Sequence, residues 1–230
     1  MPVLTAHWSP HRPAVEYAES LADGKALVVE LGPGNRPFRP ATDFVGRCVQ
    51  TRDGSYKGRW HQLNLSNDSL PWGDGEVDFI YARHVIEDLD DAEWCLSEIR
   101  RVAKAGYIET PSPVAEMCRG VDAERKLTGT RPPWRGYHHH RSFVWDAGGA
   151  LHLVGKFPFV EHIDMGLHEE SLCDLLNSGP LYWNTYFAWT GPLEYRVWRH
   201  EVDFDVGPAY GELLDRAVKC SVESAGRFGT

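Results

Sequence analysis

The chain has 230 residues, of which 42% are hydrophobic and 25% are charged, and its 24 Lys+Arg against 33 Asp+Glu give a formal net charge of −9. This length fits one ordinary domain with appended elements better than two independent domains. The acidic balance disfavours a protein whose main task is to grip a nucleic-acid backbone, because that task needs a basic face.

The cysteines and the N-terminus indicate the compartment. The five cysteines are an odd number and form no CxxC pair, which argues against a disulfide framework and against a zinc ribbon. The N-terminus has no cationic region followed by an apolar run, and nowhere do 18 uncharged apolar residues stand together. We therefore expect a cytoplasmic protein without a membrane partner.

The first half of the chain alternates between helical and strand patterns. Helices are predicted at 13–22 and at 91–105, the second one ended by Gly106, and strands at 26–29, 43–45, 60–65, 77–83 and 107–110. Strands separated by crossover segments predict an α/β fold with a mainly parallel sheet, whose ligands bind at the carboxyl ends of the strands.

The second half has a different pattern, with many aromatic residues. A short helix at 113–118 and a polar loop at 120–137 are followed by a predicted hairpin, with strands at 142–145 and 151–154 around the turn 146–149. An antiparallel C-terminal hairpin is predicted from 182–189 and 194–204, and a last helix at 208–219.

A glycine turn follows the first buried strand. Gly32 and Gly34 permit a tight turn and the close approach of a ligand to the backbone. The dinucleotide fingerprint is incomplete, because Pro37 stands where its third glycine belongs, and no phosphate-binding GxxxxGK[ST] loop is present. A nicotinamide or flavin site is therefore disfavoured.

Four segments in order carry a resemblance to a known family: VVELGPG at 28–34, LPWGDGEVDFI at 70–80, HVIED at 84–88 and EIRRV at 98–102. They resemble the motifs of class I S-adenosylmethionine-dependent methyltransferases over about residues 25–115. The resemblance implies a Rossmann-like methyltransferase sheet and S-adenosylmethionine as the cofactor. It also implies methyl transfer, here to a small-molecule acceptor whose nucleophilic atom the motifs leave open.

The resemblance also sets the expected organisation. We expect residues 1–230 to form a single methyltransferase domain, with 1–24 as an N-terminal helical lid and 112–160 as a loop and hairpin insertion. Two alternatives stay open: a catalytically silent binding protein, and a protein that uses its cofactor only structurally while the histidine and aromatic region handles another ligand.

The cofactor site implied by the resemblance comprises Glu30, Gly32, Gly34, Asp43, Asn64, Leu65 and Arg83. The family's second strand normally ends in an acid that holds the ribose, but here Gly46 occupies the expected place. Asp43, or else Asp53, is therefore expected to compensate. Gln62 or Asn64 is the candidate acceptor for the adenine amine, because an amide oxygen can accept that bond.

The candidates for catalysis are His84, Glu109, His138, His139 and His140. His84 follows the fourth predicted strand, and Glu109 lies at the end of the fifth. At these positions a base or an acceptor-binding group would face the cleft. We predict that His138–His140 belong to the same acceptor site, with His84 and Glu109 opposite. No metal ligands are assigned, although metal binding by this histidine run stays open beside proton transfer, acceptor binding and packing.

Overall fold

The computed structural model describes residues 4–48, 57–122, 134–163, 169–199 and 206–228. The chain divides into two compact units. The first, called the sheet unit, comprises Arg12–Thr110 and Tyr186–Tyr195, and the second, called the hairpin unit, comprises Met1–His11, Pro111–Thr185 and Arg196–Thr230.

The helices and strands follow one another in the order that the sequence predicts, except that helix α4 was not predicted. The strands are β1 (Val28–Leu31), β2 (Asp43–Gly46), β3 (Arg59–Gln62), β4 (Phe79–Arg83), β5 (Ala105–Pro111), β6 (Ser142–Ala147), β7 (Ala150–Gly155), β8 (Asn184–Thr190) and β9 (Tyr195–Trp198). The helices are α1 (Arg12–Ala22), α2 (Ala92–Val102), α3 (Pro113–Met117), α4 (Glu169–Asn177) and α5 (Val206–Ala225).

The sheet unit is built on a six-stranded sheet of order β3-β2-β1-β4-β5-β8. The pairs β1–β2, β1–β4, β2–β3 and β4–β5 are parallel. All four residues of β1 are buried, as expected for a central strand covered on both faces. The predicted α/β class with a mainly parallel, Rossmann-like sheet is confirmed.

The helix before β5 is shorter than predicted. Its start is fixed by Asp91, whose side chain accepts a hydrogen bond from the backbone N–H of Trp94, and its last residue is Val102. Gly106 was expected to end this helix but lies inside β5. A Cβ atom at Gly106 would lie 2.2 Å from the indole of Trp189. This glycine therefore gives the tryptophan of β8 room against β5.

The hairpin unit contains a three-stranded sheet of order β6-β7-β9. The antiparallel β6–β7 hairpin predicted from the sequence is confirmed, with Ala147 paired to Ala150. Its turn consists of Gly148 and Gly149, whose φ angles of 64° and 81° are the left-handed values that a two-residue turn of this kind requires. Two buried tryptophans of the predicted aromatic region, Trp145 and Trp183, lie in the core of this unit.

The predicted C-terminal hairpin differs from the structure. β8 and β9 follow one another around a turn at Gly191, but β8 is the edge strand beside β5 whereas β9 lies beside β7. The backbone N–H of Gly191 donates to the carbonyl of Lys104, which holds the end of β8 at the start of β5. The hairpin was predicted because the two strands are close in sequence. In the structure each strand pairs with a different sheet instead.

The N-terminal region is shared between the units. Helix α1, predicted as part of a lid, belongs to the sheet unit, while residues 4–11 belong to the hairpin unit together with 112–160. In the hairpin unit, Asn177 accepts hydrogen bonds from the backbone N–H groups of Thr5 and Ala6. Across the described residues, no helix combines the length and the apolar character needed to cross a bilayer.

The close approach at Gly106 makes a stability prediction. We expect Gly106→Ala to lower the free energy of unfolding by about 2–3 kcal/mol, because the added methyl overlaps the Trp189 ring and the Ile80 carbonyl. Urea denaturation followed by tryptophan fluorescence measures the effect. Gly226→Ala is the control, since a Cβ there meets nothing within 4 Å. Equal stabilities of the two variants would contradict the packing argument.

Candidate functional site

One face of the sheet carries a row of polar and aromatic side chains. In the parallel ladders, Glu30 of β1 lies opposite Tyr81 of β4, which in turn lies opposite Tyr107 of β5. Two residues further along, Arg83 lies opposite Glu109. Because alternate residues of a strand share a face, all five side chains are on the same face, and the Arg83–Glu109 pair is the one nearest the carboxyl edge.

The buried carboxylate of Glu109 is held from two sides. Arg83 Nε donates to Glu109 Oε1 at 3.1 Å, and the hydroxyl of Tyr107 donates to Oε2 at 2.9 Å. Burial and the nearby Glu109 carboxylate raise the pKa of Tyr107 well above its usual value. The phenol therefore stays a hydrogen-bond donor to the carboxylate at neutral pH.

His84 leaves the end of β4 with an unusual backbone conformation. Its φ of 54° is the only positive value of a non-glycine residue among those described. Its N–H donates to the Glu109 carbonyl at 2.8 Å, and its ring nitrogens Nδ1 and Nε2 lie 3.4 Å from Glu87 Oε1 and 3.7 Å from Glu109 Oε1. The backbone of His84 is therefore strained, and its side chain lies between two buried carboxylates. Local strain of this kind recurs at functional sites.

Glu30 organises the turn that follows β1. Its carboxylate accepts a 2.7 Å hydrogen bond from the backbone N–H of Phe38, whose ring stacks on Tyr81 with centroids 3.9 Å apart. Burial raises the pKa of Glu30 to about 7, although the Phe38 N–H and the nearby Arg83 oppose the shift. This acid consequently titrates near neutral pH.

The two glycines of the turn have different surroundings. Gly32 has a φ of 58°, and a Cβ there would lie 2.5 Å from Cγ2 of Val85. The absence of a side chain at Gly32 therefore makes room for Val85. The sequence analysis had predicted only that this glycine lets a ligand approach the backbone. A Cβ at Gly34 would meet nothing within 4 Å, so open space lies beside that glycine.

Asp43 lies at the start of β2, the strand end opposite the carboxyl edge. Its buried carboxylate is 2.9 Å from His61 Nε2 and 3.3 Å from Arg59 Nε. This position counts against Asp43 as the ribose ligand, because the strand's length separates it from Gly46. The alternative acid, Asp53, lies outside the described residues.

The predicted adenine segment follows β3. Asn64 Oδ1 accepts from Nη2 of Arg47 at 2.9 Å, so the amide oxygen offered as an adenine acceptor already has a protein donor. Leu65 is buried, with 6% of its surface exposed. The structure therefore links this segment to the residues after β2 through a side-chain contact that the sequence analysis did not predict.

The histidine run lies in the hairpin unit and its members have separate partners. His138 Nδ1 is 2.6 Å from Asp122 Oδ2, and His140 Nδ1 is 2.6 Å from Glu116 Oε1. The side chain of His139 is exposed. His84, Arg83 and Glu109 are brought together in the sheet unit, whereas His138 and His140 contact carboxylates of the hairpin unit.

A buried charged cluster lies in the hairpin unit, and its lysine was not predicted from the sequence. Glu116 of α3 accepts from both Lys156 and His140, and Lys156 also donates to the carbonyl of Tyr137 at 2.8 Å. Burial alone would raise the pKa of Glu116, but Lys156 and His140 hold it below its usual value. No local pattern signals this cluster, since its members come from a helix, a loop and the end of a hairpin.

Comparison with known proteins agrees with this geometry. Residues 42–108 match the family model described as a methyltransferase domain. No curated protein sequence matches the chain significantly. The match confirms the resemblance predicted from the motifs over this part of the chain, which includes strands β2 to β4 of the mainly parallel sheet.

Solved structures with a similar fold include the YcgJ protein from Bacillus subtilis, at 18% identity and a TM-score of 0.35 over 44% of this chain and 52% of that one. An S-adenosylmethionine-dependent methyltransferase from Mesorhizobium loti is similar at 11% identity and a TM-score of 0.37, over 46% and 57% of the two chains. The cyclase SpnF is similar at 18% identity and a TM-score of 0.35, over 56% of each chain. The matched region thus spans little more than half the length of each of these proteins.

The raised pKa of Glu30 makes stability depend on pH. Between pH 4.5 and about 7 the folded protein keeps a proton that the unfolded chain has released, so this group makes stability fall as pH rises through that window. Glu30→Gln removes the titration but keeps an oxygen for the Phe38 N–H. We expect the stability of the variant relative to the parent to rise by about 3 kcal/mol between pH 4.5 and pH 8.

Denaturant unfolding at several pH values between 4.5 and 8 measures this difference. Glu16→Gln removes an exposed carboxylate of α1 and is the control for the general effect of lost negative charge. A stability difference between Glu30→Gln and parent that stays constant across the range would show that Glu30 does not titrate near neutral pH.

Proposed function

We propose that the chain transfers a methyl group from S-adenosylmethionine to a small-molecule acceptor. The observation that carries this proposal is the set of groups at the carboxyl ends of three neighbouring strands: the glycine turn after β1, His84 after β4 and Glu109 in β5. In open parallel sheets this edge is where ligands bind.

The residues present fit this cofactor in charge and in shape. The cofactor is cationic at sulfur and carries no phosphate, so it needs neither a third glycine nor a helix terminus aimed at an anion. The open space beside Gly34 lets a ligand approach the main chain, and the carboxylate of Glu30 supplies negative charge beneath the turn. Glu30, Gly32, Gly34 and Arg83 are the residues we propose to hold it.

When bound, S-adenosylmethionine supplies a methyl group on a positively charged sulfur that is activated for displacement. The chain then has to align the acceptor and, where needed, remove its proton. We assign the proton-accepting role to the imidazole of His84. Glu109 and Glu87 flank this ring, and the Glu109 carbonyl fixes its backbone through the His84 N–H.

A small acceptor and a cytoplasmic location belong to the same proposal. The formal net charge of −9 disfavours binding to a nucleic-acid backbone. The odd number of cysteines without CxxC spacing is typical of a reducing compartment. Participation of His138–His140 in acceptor binding remains a prediction from the sequence.

Two measurements test the proposal. Calorimetry with S-adenosylmethionine and S-adenosylhomocysteine tests whether the site binds the cofactor, and an assay of S-adenosylhomocysteine release against a panel of small hydroxyl, amine and carboxylate acceptors tests transfer. Binding of both without release by any acceptor would favour the silent binding protein. Absence of binding would remove the cofactor assignment.

His84→Asn separates chemistry from backbone conformation, because asparagine tolerates a positive φ better than most residues. We expect this variant to bind S-adenosylhomocysteine within about threefold of the parent and to lose about 10²- to 10⁴-fold in kcat. His7→Asn, at an exposed position, is the matched control and should keep full turnover. An unchanged kcat in His84→Asn would remove the imidazole from the mechanism.

A further inference from the structure

A second group of chemically reactive side chains lies in the hairpin unit. Asp122 follows the segment after α3, and His138 and His139 precede β6. Each of the three residues offers one ligand atom, and the three atoms lie within 4.8 Å of one another. The methyl-transfer proposal assigns no role to Asp122, so the cluster raises a separate question.

The carboxylate and the first imidazole already form a contact. His138 Nδ1 lies 2.6 Å from Asp122 Oδ2, and the rings of His138 and His139 are 5.2 Å apart between centroids. The Asp122 side chain is 8% exposed and that of His138 is 39% exposed. A buried oxygen beneath two exposed imidazoles leaves the outer side of the cluster accessible from solvent.

The donor set is typical of a divalent transition metal. Neutral imidazole nitrogen and carboxylate oxygen bind Zn²⁺ at about 2.0–2.2 Å, which places two ligands of a tetrahedral ion about 3.4 Å apart. The present spacing of at most 4.8 Å is within reach of that value by side-chain rotation. Three protein ligands leave a fourth position for water, as in open zinc sites.

Two described basic side chains of the hairpin unit, Arg119 and Lys156, pair with other carboxylates. Arg119 donates to Glu161 Oε2 at 2.7 Å, and the backbone N–H of Arg135 donates to Oε1 of the same residue at 2.9 Å. Lys156 is bound to Glu116, which also engages His140. The contact described for the Asp122 carboxylate is the one with His138.

We propose that Asp122, His138 and His139 bind a divalent transition-metal ion, with Zn²⁺ as the probe. Such an ion ties the segment that follows α3 to the segment that precedes β6. The site is independent of the sheet-unit residues assigned to the cofactor. In this proposal His138 and His139 are metal ligands, and His140 is the partner of Glu116.

Titration of the tag-free, EDTA-treated chain with Zn²⁺, by calorimetry and by competition with a chromophoric chelator, tests the proposal. We expect one ion per chain with a dissociation constant of ~10 μM or tighter at pH 7.5. Failure of the parent chain to bind one equivalent would overturn the site.

Variants separate a built site from adventitious binding to surface histidines. Asp122→Asn and His138→Ala should each weaken Zn²⁺ binding at least about tenfold, whereas His162→Ala, in the same unit and outside the cluster, should leave it unchanged. Circular dichroism checks that each variant is folded. Equal affinity in Asp122→Asn and parent would mean adventitious imidazole binding only, which contradicts the proposal.

Binding of zinc and binding of S-adenosylhomocysteine are measured on the same protein. If the chain binds zinc but not S-adenosylhomocysteine, the metal site stands and the proposed function fails. If it binds only S-adenosylhomocysteine, the metal site fails and the cofactor assignment stands.

Discussion

The ion pair between Arg83 and Glu109 is the interaction on which the carboxyl edge of the sheet depends. An uncompensated carboxylate with 1% of its side chain exposed would be strongly destabilising, and Arg83 and Tyr107 together supply its hydrogen bonds. Because the two partners face each other on adjacent strands, the pair also fixes where β4 and β5 end relative to one another. His84 then turns away from that fixed point, with its N–H held by the Glu109 carbonyl.

Buried acids in this chain behave differently according to their partners. Glu30 receives one backbone N–H and the electrostatic influence of Arg83, but burial outweighs both and raises its pKa to about 7. Glu116 is buried as deeply but contacts both Lys156 and His140, and its pKa falls below the usual value. Glu30 is thus an acid whose charge a bound cation would favour, while Glu116 is a permanent anion that holds the loop before β6 to α3.

Much of the fold is readable from the sequence, because hydrophobic runs and glycine turns are local signals. The strands of the parallel sheet, the capped helix α2 and the Gly148–Gly149 hairpin belong to this group. Gly106 was misread because a glycine after a helical pattern looks like a stop signal, whereas its actual constraint is Trp189, which comes some eighty residues later. The partners of β8 and β9 were missed for the same reason, since strand pairing depends on packing between distant segments.

The positions of the candidate site residues depend partly on strand ends, which motifs mark, and partly on strand register, which they do not. The structure brings His84, Arg83 and Glu109 together because the motifs mark strand ends, and strand ends of a parallel sheet meet at one edge. Their roles in the site stay predictions. Asp43 stays a prediction as the ribose ligand, but the ladder places it beside Val29, at the end of β2 opposite the carboxyl edge. The sequence alone does not give this register.

The partners of the three consecutive histidines could not be predicted from their order in the sequence. Three identical neighbours suggest one shared role, but their partners are set by residues far away in sequence: Asp122 for His138, and Glu116 for His140. All residues assigned to the cofactor lie in the sheet unit, and the run lies in the hairpin unit. Substitutions in the two sets of residues can therefore be made one set at a time, and a loss of binding then identifies the set responsible.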